Sequence, residues 1–128
     1  MFNNCSSLET FAYNLSNVTD GRYMFNNCSS LKTFKGSLTN LVRRGYKMFY
    51  NCKLNKESVQ FISETIHEYV PSSEYQSELE SFEGIITIHV DKTLPQSDLS
   101  EIINYFNNIS AKGWSVDTNI PYTYTPAS

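Results

Sequence analysis

The chain is short of the residues on which several kinds of chemistry depend. It has five glycines and four prolines in 128 residues, and the glycines are scattered, with no G-x-G-x-x-G or P-loop spacing to cradle a phosphate on backbone amides. It has two histidines, His67 and His89, too few and too isolated for a zinc site. No G-x-S-x-G elbow accompanies them, so a Ser-His-Asp hydrolase lacks its nucleophile. No apolar run nears the roughly 20 residues that span a bilayer, and no basic, apolar leader opens the chain. These absences lead to the expectation of a protein without catalytic or cofactor chemistry. Neither a metal nor any other cofactor is expected.

Charge is present but divided. Residues 1 to 54 carry seven Lys/Arg against Glu9 and Asp20, whereas residues 55 to 128 carry three Lys against eleven acids. The cations of the first half are dispersed rather than clustered, so nucleic acid is not an expected partner. Mutual attraction of the two halves is the simpler reading.

What is there is a repeat. MFNNCSSL occupies Met1 to Leu8 and returns at Met24 to Leu31, and MFYNC follows at Met48 to Cys52. Recurring positions are Met1, Met24 and Met48; Cys5, Cys28 and Cys52; Leu8 and Leu31; and Phe11 and Phe34. Units of 20 to 30 residues that cannot close a core alone must stack, and the repeated letters are expected to form ladders through the core. Within a unit, RYMFNNC suggests a turn of helix, NNCSS a bend, and SLETF or SLKTF a short alternating strand. The cysteines read as small buried hydrophobes in a tight corner; the sharper reading is a redox pair or metal ladder of stacked thiols. Five N-x-S/T sequons, at Asn4, Asn14, Asn17, Asn27 and Asn108, are expected by accident in a chain so rich in Asn and Ser.

The pattern MF-x-x-C-S-S-L-x-T-F at 23-residue spacing resembles the BspA-like leucine-rich repeats of surface and phage-associated proteins of gut and oral microbes. The resemblance covers residues 1 to 54 and implies an α/β fold: a short leucine-rich solenoid with a parallel sheet, ending in larger helix-strand capping units. It also implies adhesion or recognition, and a cell-surface, extracellular or virion-associated location. Unit two departs from the pattern with GSLTNLVRRG after its strand, so the family's ligand contacts are not carried over.

Beyond Cys52 the repeat gives way to LNKESVQFISETIHEYV. Val59, Ile62, Ile66 and Tyr69 keep helical spacing, with Asn55 as N-cap and Pro71 as terminator, predicting a helix of about 14 residues. PSSEYQSELESFEG follows as an acidic loop, with a loose helix on Tyr75, Leu79 and Phe82 as an option; its glutamates, Glu74, Glu78, Glu80 and Glu83, read as a solvated face. GIITIHV is a strand. LPQSDLSEIINYFNNISAKGW is a helix with Ser97 as N-cap, burying Leu99, Ile102, Ile103, Phe106 and Ile109 and closing at Gly113. WSVDTNI is a second strand, so a βαβ crossover should extend the repeat's own parallel sheet. The chain thus divides into repeats at 1 to 54, an α/β cap at 55 to 119 and an extended tail at 120 to 128.

The expected function is recognition of a protein or glycan on the outward sheet face: Glu9, Thr10, Lys32 and Thr33, with Tyr13 and Lys35 at the strand ends. The alternative is a capping or assembly piece of a longer solenoid or phage-tail protein that self-associates through an open N-terminal edge.

Overall fold

The computed structural model describes residues 2 to 71 and 82 to 124. In chain order the elements are β1 (Thr10–Phe11), β2 (Thr33–Phe34), β3 (Gly45–Leu54), α1 (Lys56–Thr65), β4 (Ile85–Val90), α2 (Gln96–Ala111) and β5 (Ser115–Thr118). They form two parallel sheets, β1-β2 and β3-β4-β5.

This corrects the expected fold. A curved leucine-rich solenoid carries one continuous sheet, one strand per unit; here β1 and β2 are two residues each and pair only with one another. The third copy instead becomes the ten-residue β3 and joins β4 and β5 in a separate sheet. The molecule is a small domain of two helices and two short sheets. The α/β segment therefore builds its own sheet on the third copy rather than extending the first one. The physical reason lies in the letters of that copy: it has no S-L-x-T-F strand, and Leu54 leads directly into the Asn55 cap of α1.

The repeated side chains nonetheless pack at equivalent positions. Phe2, Phe25 and Phe49 stack face to face at 5.3 and 5.5 Å between centroids. Phe11 and Phe34 stack at 5.9 Å and meet that column edge-on. Aromatic contacts of this kind add about 0.5 to 1.5 kcal/mol each beyond burial. Backbone bonds tie the copies at the same register, Phe2 N–H to Met24 carbonyl and Phe25 N–H to Met48 carbonyl, both 2.9 Å. The bends turn on Asn4, Asn27 and Asn51, all left-handed with φ of 66, 63 and 61°, a conformation that Asn tolerates better than other side chains. Their amides join across copies: Asn27 Nδ2 donates to Asn4 Oδ1 and Asn51 Nδ2 to Asn27 Oδ1. RYMFNNC lies in turns rather than helix. Met1 and the segment expected as an acidic loop, with its proposed helix, lie outside the described residues, apart from Pro71, Phe82, Glu83 and Gly84.

Helix α1 is capped as expected, Asn55 Oδ1 accepting the Ser58 N–H at 3.0 Å, but it stops at Thr65 rather than near Val70. Ile66 is already extended. Tertiary partners end it: Lys112 Nζ donates to the carbonyls of Ser63 and Ile66, both at 2.8 Å, and the Trp114 indole donates to the His67 carbonyl at 2.8 Å. Helix α2 starts at Gln96 after Pro95 with no side-chain cap, so Ser97 is not its N-cap. It buries Ile102, Phe106 and Ile109, with Leu99 and Ile103 half-buried. Gly113 closes it at φ +98°. A single core runs from Phe11 through Phe25, Phe34 and Phe49 to Ile88, Phe106 and Trp114.

A candidate anion-binding cleft

The site begins with an irregularity in β3. Ten residues of β3 run beside six of β4, with register breaks between Gly45 and Phe49 and between Phe49 and Leu54. Two left-handed residues make the excess, Lys47 (φ 56°) and Asn51 (φ 61°). Each bulge removes a backbone N–H from the ladder, and a side chain of β4 accepts it. Thr87 Oγ1 takes the Lys47 N–H at 2.8 Å and His89 Nδ1 takes the Asn51 N–H at 3.0 Å. Thr87 in turn donates to Asp117 Oδ2 on β5 at 3.1 Å.

Accepting at Nδ1 places the imidazole proton of His89 on Nε2. Burial lowers its pKa below the ordinary 6.5; Asp117 opposes this and Lys92 reinforces it. The ring packs 4.7 Å from that of Tyr50, whose other neighbour is the Lys47 ammonium, 4.9 Å from its centroid.

Beyond the second bulge, at the carboxyl ends of β3 and β4, a cleft of about 470 Å³ opens to solvent. Clefts at this end of parallel strands are the usual ligand positions in α/β sheets. Lys32, Lys53 and Lys92 line it, together with Asn51, His89, Asp91, Thr93 and Asn119. All three lysines are exposed, and none makes a salt bridge with a described carboxylate. Asp91 is the single acid of the lining. Its Oδ1 accepts the Thr93 hydroxyl at 2.6 Å and N–H at 2.9 Å; these bonds, and then Lys53 and Lys32, hold its carboxyl below the usual range. Asn119 seals the end of β4, its amide accepting from the Val90 N–H and donating to the Val90 carbonyl, each at 2.9 Å.

Cys52 also borders the cleft, which raises the question of a cysteine-histidine pair. Its thiol donates to the Phe25 carbonyl at 3.2 Å, and burial pushes its pKa up to about 12. The thiolate needed for nucleophilic chemistry is therefore suppressed.

Of the residues expected on a recognition face, Thr10 and Thr33 pair across β1 and β2, and Glu9 and Lys32 lie just before those strands, Lys32 N–H bonding the Glu9 carbonyl at 3.0 Å. Tyr13 is 75% exposed and leans on the Phe11 ring. Lys35 points elsewhere, over the Phe61 ring at 5.4 Å. Lys32 alone of this set reaches the cleft. Sequence reading singled out His89 only as an isolated histidine and missed Lys53 and Lys92 as partners of Lys32. Their convergence rests on the bonds of Lys53 N–H to Leu31 carbonyl and Asp91 N–H to Leu54 carbonyl, which no spacing encodes.

Comparison with protein-family models, curated proteins and solved structures finds no match for this chain. The resemblance to BspA-like repeats is thus not supported by any relationship, and the two short sheets contradict the solenoid it implied. The recognition or adhesion role assigned to a solenoid face, and the capping or assembly role within a longer solenoid, fall with that fold. No described helix is long and apolar enough to cross a membrane.

Proposed function

We propose that the chain binds a small anionic ligand, bearing a phosphate or carboxylate group, in the cleft at the carboxyl ends of β3 and β4, and that it acts by binding rather than by chemistry. The observation that carries this reading is the convergence of Lys32, Lys53 and Lys92, unbridged by any described carboxylate, on one concave surface. Three lysines lining one cleft make it electropositive, and an anion seated there would take charge-assisted hydrogen bonds from them. The Nε2–H of His89 adds a neutral donor at the wall.

The binding reading is favoured over a catalytic one by the commitments of the two reactive side chains. His89 uses Nδ1 to close a bulge in β3, and the Cys52 thiol is held protonated against a backbone carbonyl. Neither is left to act as a base or a nucleophile.

Titration with inorganic phosphate and with citrate, followed by amide chemical shifts, tests the site. Shifts should centre on Asn51 to Lys53 and His89 to Thr93. Lys53→Ala should weaken the interaction about tenfold, the worth of one charge-assisted hydrogen bond, and added salt should weaken it further. Shifts spread evenly over all lysines, or an unaltered response in Lys53→Ala, would overturn the proposal.

A further inference from the structure

The cysteines of the first two copies occupy a second, separate place in the fold. Asn3 and Asn26, and Asn4 and Asn27, meet through their amides at 3.0 Å across copies, in a register of 23 residues. Thr10 pairs with Thr33 and Phe11 with Phe34 in that same register. Cys5 and Cys28 are therefore rung neighbours between two matched segments. Parallel chains at sheet spacing lie about 4.8 Å apart, within the roughly 4.4 to 6.8 Å between Cα atoms that a disulfide requires.

The Cys28 thiol is directed at the neighbouring copy: its Sγ donates to the Phe2 carbonyl at 3.0 Å, in the copy that carries Cys5 at the matching position. The next rung repeats this contact, Cys52 Sγ donating to the Phe25 carbonyl at 3.2 Å. What differs is exposure: Cys5 is exposed whereas Cys28 and Cys52 are both buried, so only the first rung offers a thiol to a reagent.

We propose that Cys5 and Cys28 are an oxidisable pair, which a small-molecule disulfide converts into an intrachain bond joining the first two copies. The Cys5 thiolate attacks one sulfur of the reagent, breaking its S–S bond, forming a mixed disulfide and expelling one small thiolate. Cys28, deprotonated, then attacks Cys5 Sγ, and the second small thiolate leaves. The two protein thiols lose two protons and two electrons in all, and the reagent is reduced to two thiols. The exposed cysteine receives the reagent and the buried one resolves it, while Cys52 stays reduced. Burial raises the Cys28 thiol above its ordinary pKa, so the second step quickens as pH rises.

The test treats the full chain with oxidised glutathione at mildly alkaline pH, alkylates the remaining thiols and maps the peptides. The expected result is loss of two hydrogens from the intact mass, the peptide of Cys5 joined to that of Cys28, and alkylation on Cys52 alone after denaturation. Cys28→Ser should stop at one glutathione on Cys5. That adduct, accumulating stably in the unaltered chain, would overturn the proposal, as would a bond between Cys28 and Cys52 or no reaction at all. Because the map is read on the unaltered chain, the test does not depend on the variant folding.

Discussion

His89 shows how one side chain of catalytic type can be absorbed by structure. Its Nδ1 closes the Asn51 bulge, so protonating the ring removes an acceptor and places a charge in a partly buried position. The folded pKa lies below 6.5, and the native state therefore binds fewer protons than the unfolded chain between that depressed value and 6.5. Stability present above pH 6.5 should accordingly be lost as pH falls through this window and level off beneath it. His89→Asn offers an amide oxygen to the Asn51 N–H but does not titrate. Thermal unfolding at pH 7.5 and 5.5 should show a smaller decrease in Tm for that variant than for the unaltered chain; equal decreases would assign the effect elsewhere. The sequence displayed His89 and its neighbour Asp91, but their uses were not legible there. A hydrogen bond to a bulge 38 residues earlier depends on the register of two strands, which local pattern does not carry.

Among the elements, α1 was the most legible and its end the least. The N-cap follows from local chemistry, because Asn55 competes for the free amides of the first turn. Ser58 then extends the cap into the core. Its hydroxyl accepts the Phe34 N–H at 2.8 Å and donates toward Asn55 Oδ1 at 2.7 Å or the Lys32 carbonyl at 2.9 Å. Ser58→Ala strands the Phe34 amide in a buried place and should cost about 1 to 3 kcal/mol in urea unfolding with an unchanged m-value; a loss under about 0.5 kcal/mol would mean that water replaces the hydroxyl. The early stop at Thr65 was invisible locally, since Ile66 and Tyr69 keep the helical spacing. The partners that end it, Lys112 and Trp114, lie more than 40 residues away.

For the whole molecule, the column Phe2, Phe25, Phe49 is the member common to the copies and to the sheet that follows them. Phe25 is fully buried and touches Phe2, Phe11, Phe34 and Phe49. Phe25→Ala should therefore destabilise by about 3 to 5 kcal/mol, and calorimetry should show one transition that moves as a unit, because a single core joins both sheets. Two separated transitions would show instead that the copies and the α/β segment melt independently. By itself the sequence determined the register that pairs Thr10 with Thr33 and Phe11 with Phe34, inward positions such as Cys28, Leu31 and Phe34, and that a β-α-β segment follows, because these depend on periodicity and short-range chemistry; Cys5, expected to be buried like its counterparts, is exposed. The letters of the third copy, which lack the S-L-x-T-F strand, remove it from the first sheet, but they did not show which strand it would pair with instead. That partner is β4, whose Thr87 and His89 accept the two amides that the bulged β3 leaves free. The cleft was decided in the same step: Lys32, Lys53 and Lys92 come from three segments, and the Lys53–Leu31 backbone bond together with the pairing of β3 with β4 places them on one cleft.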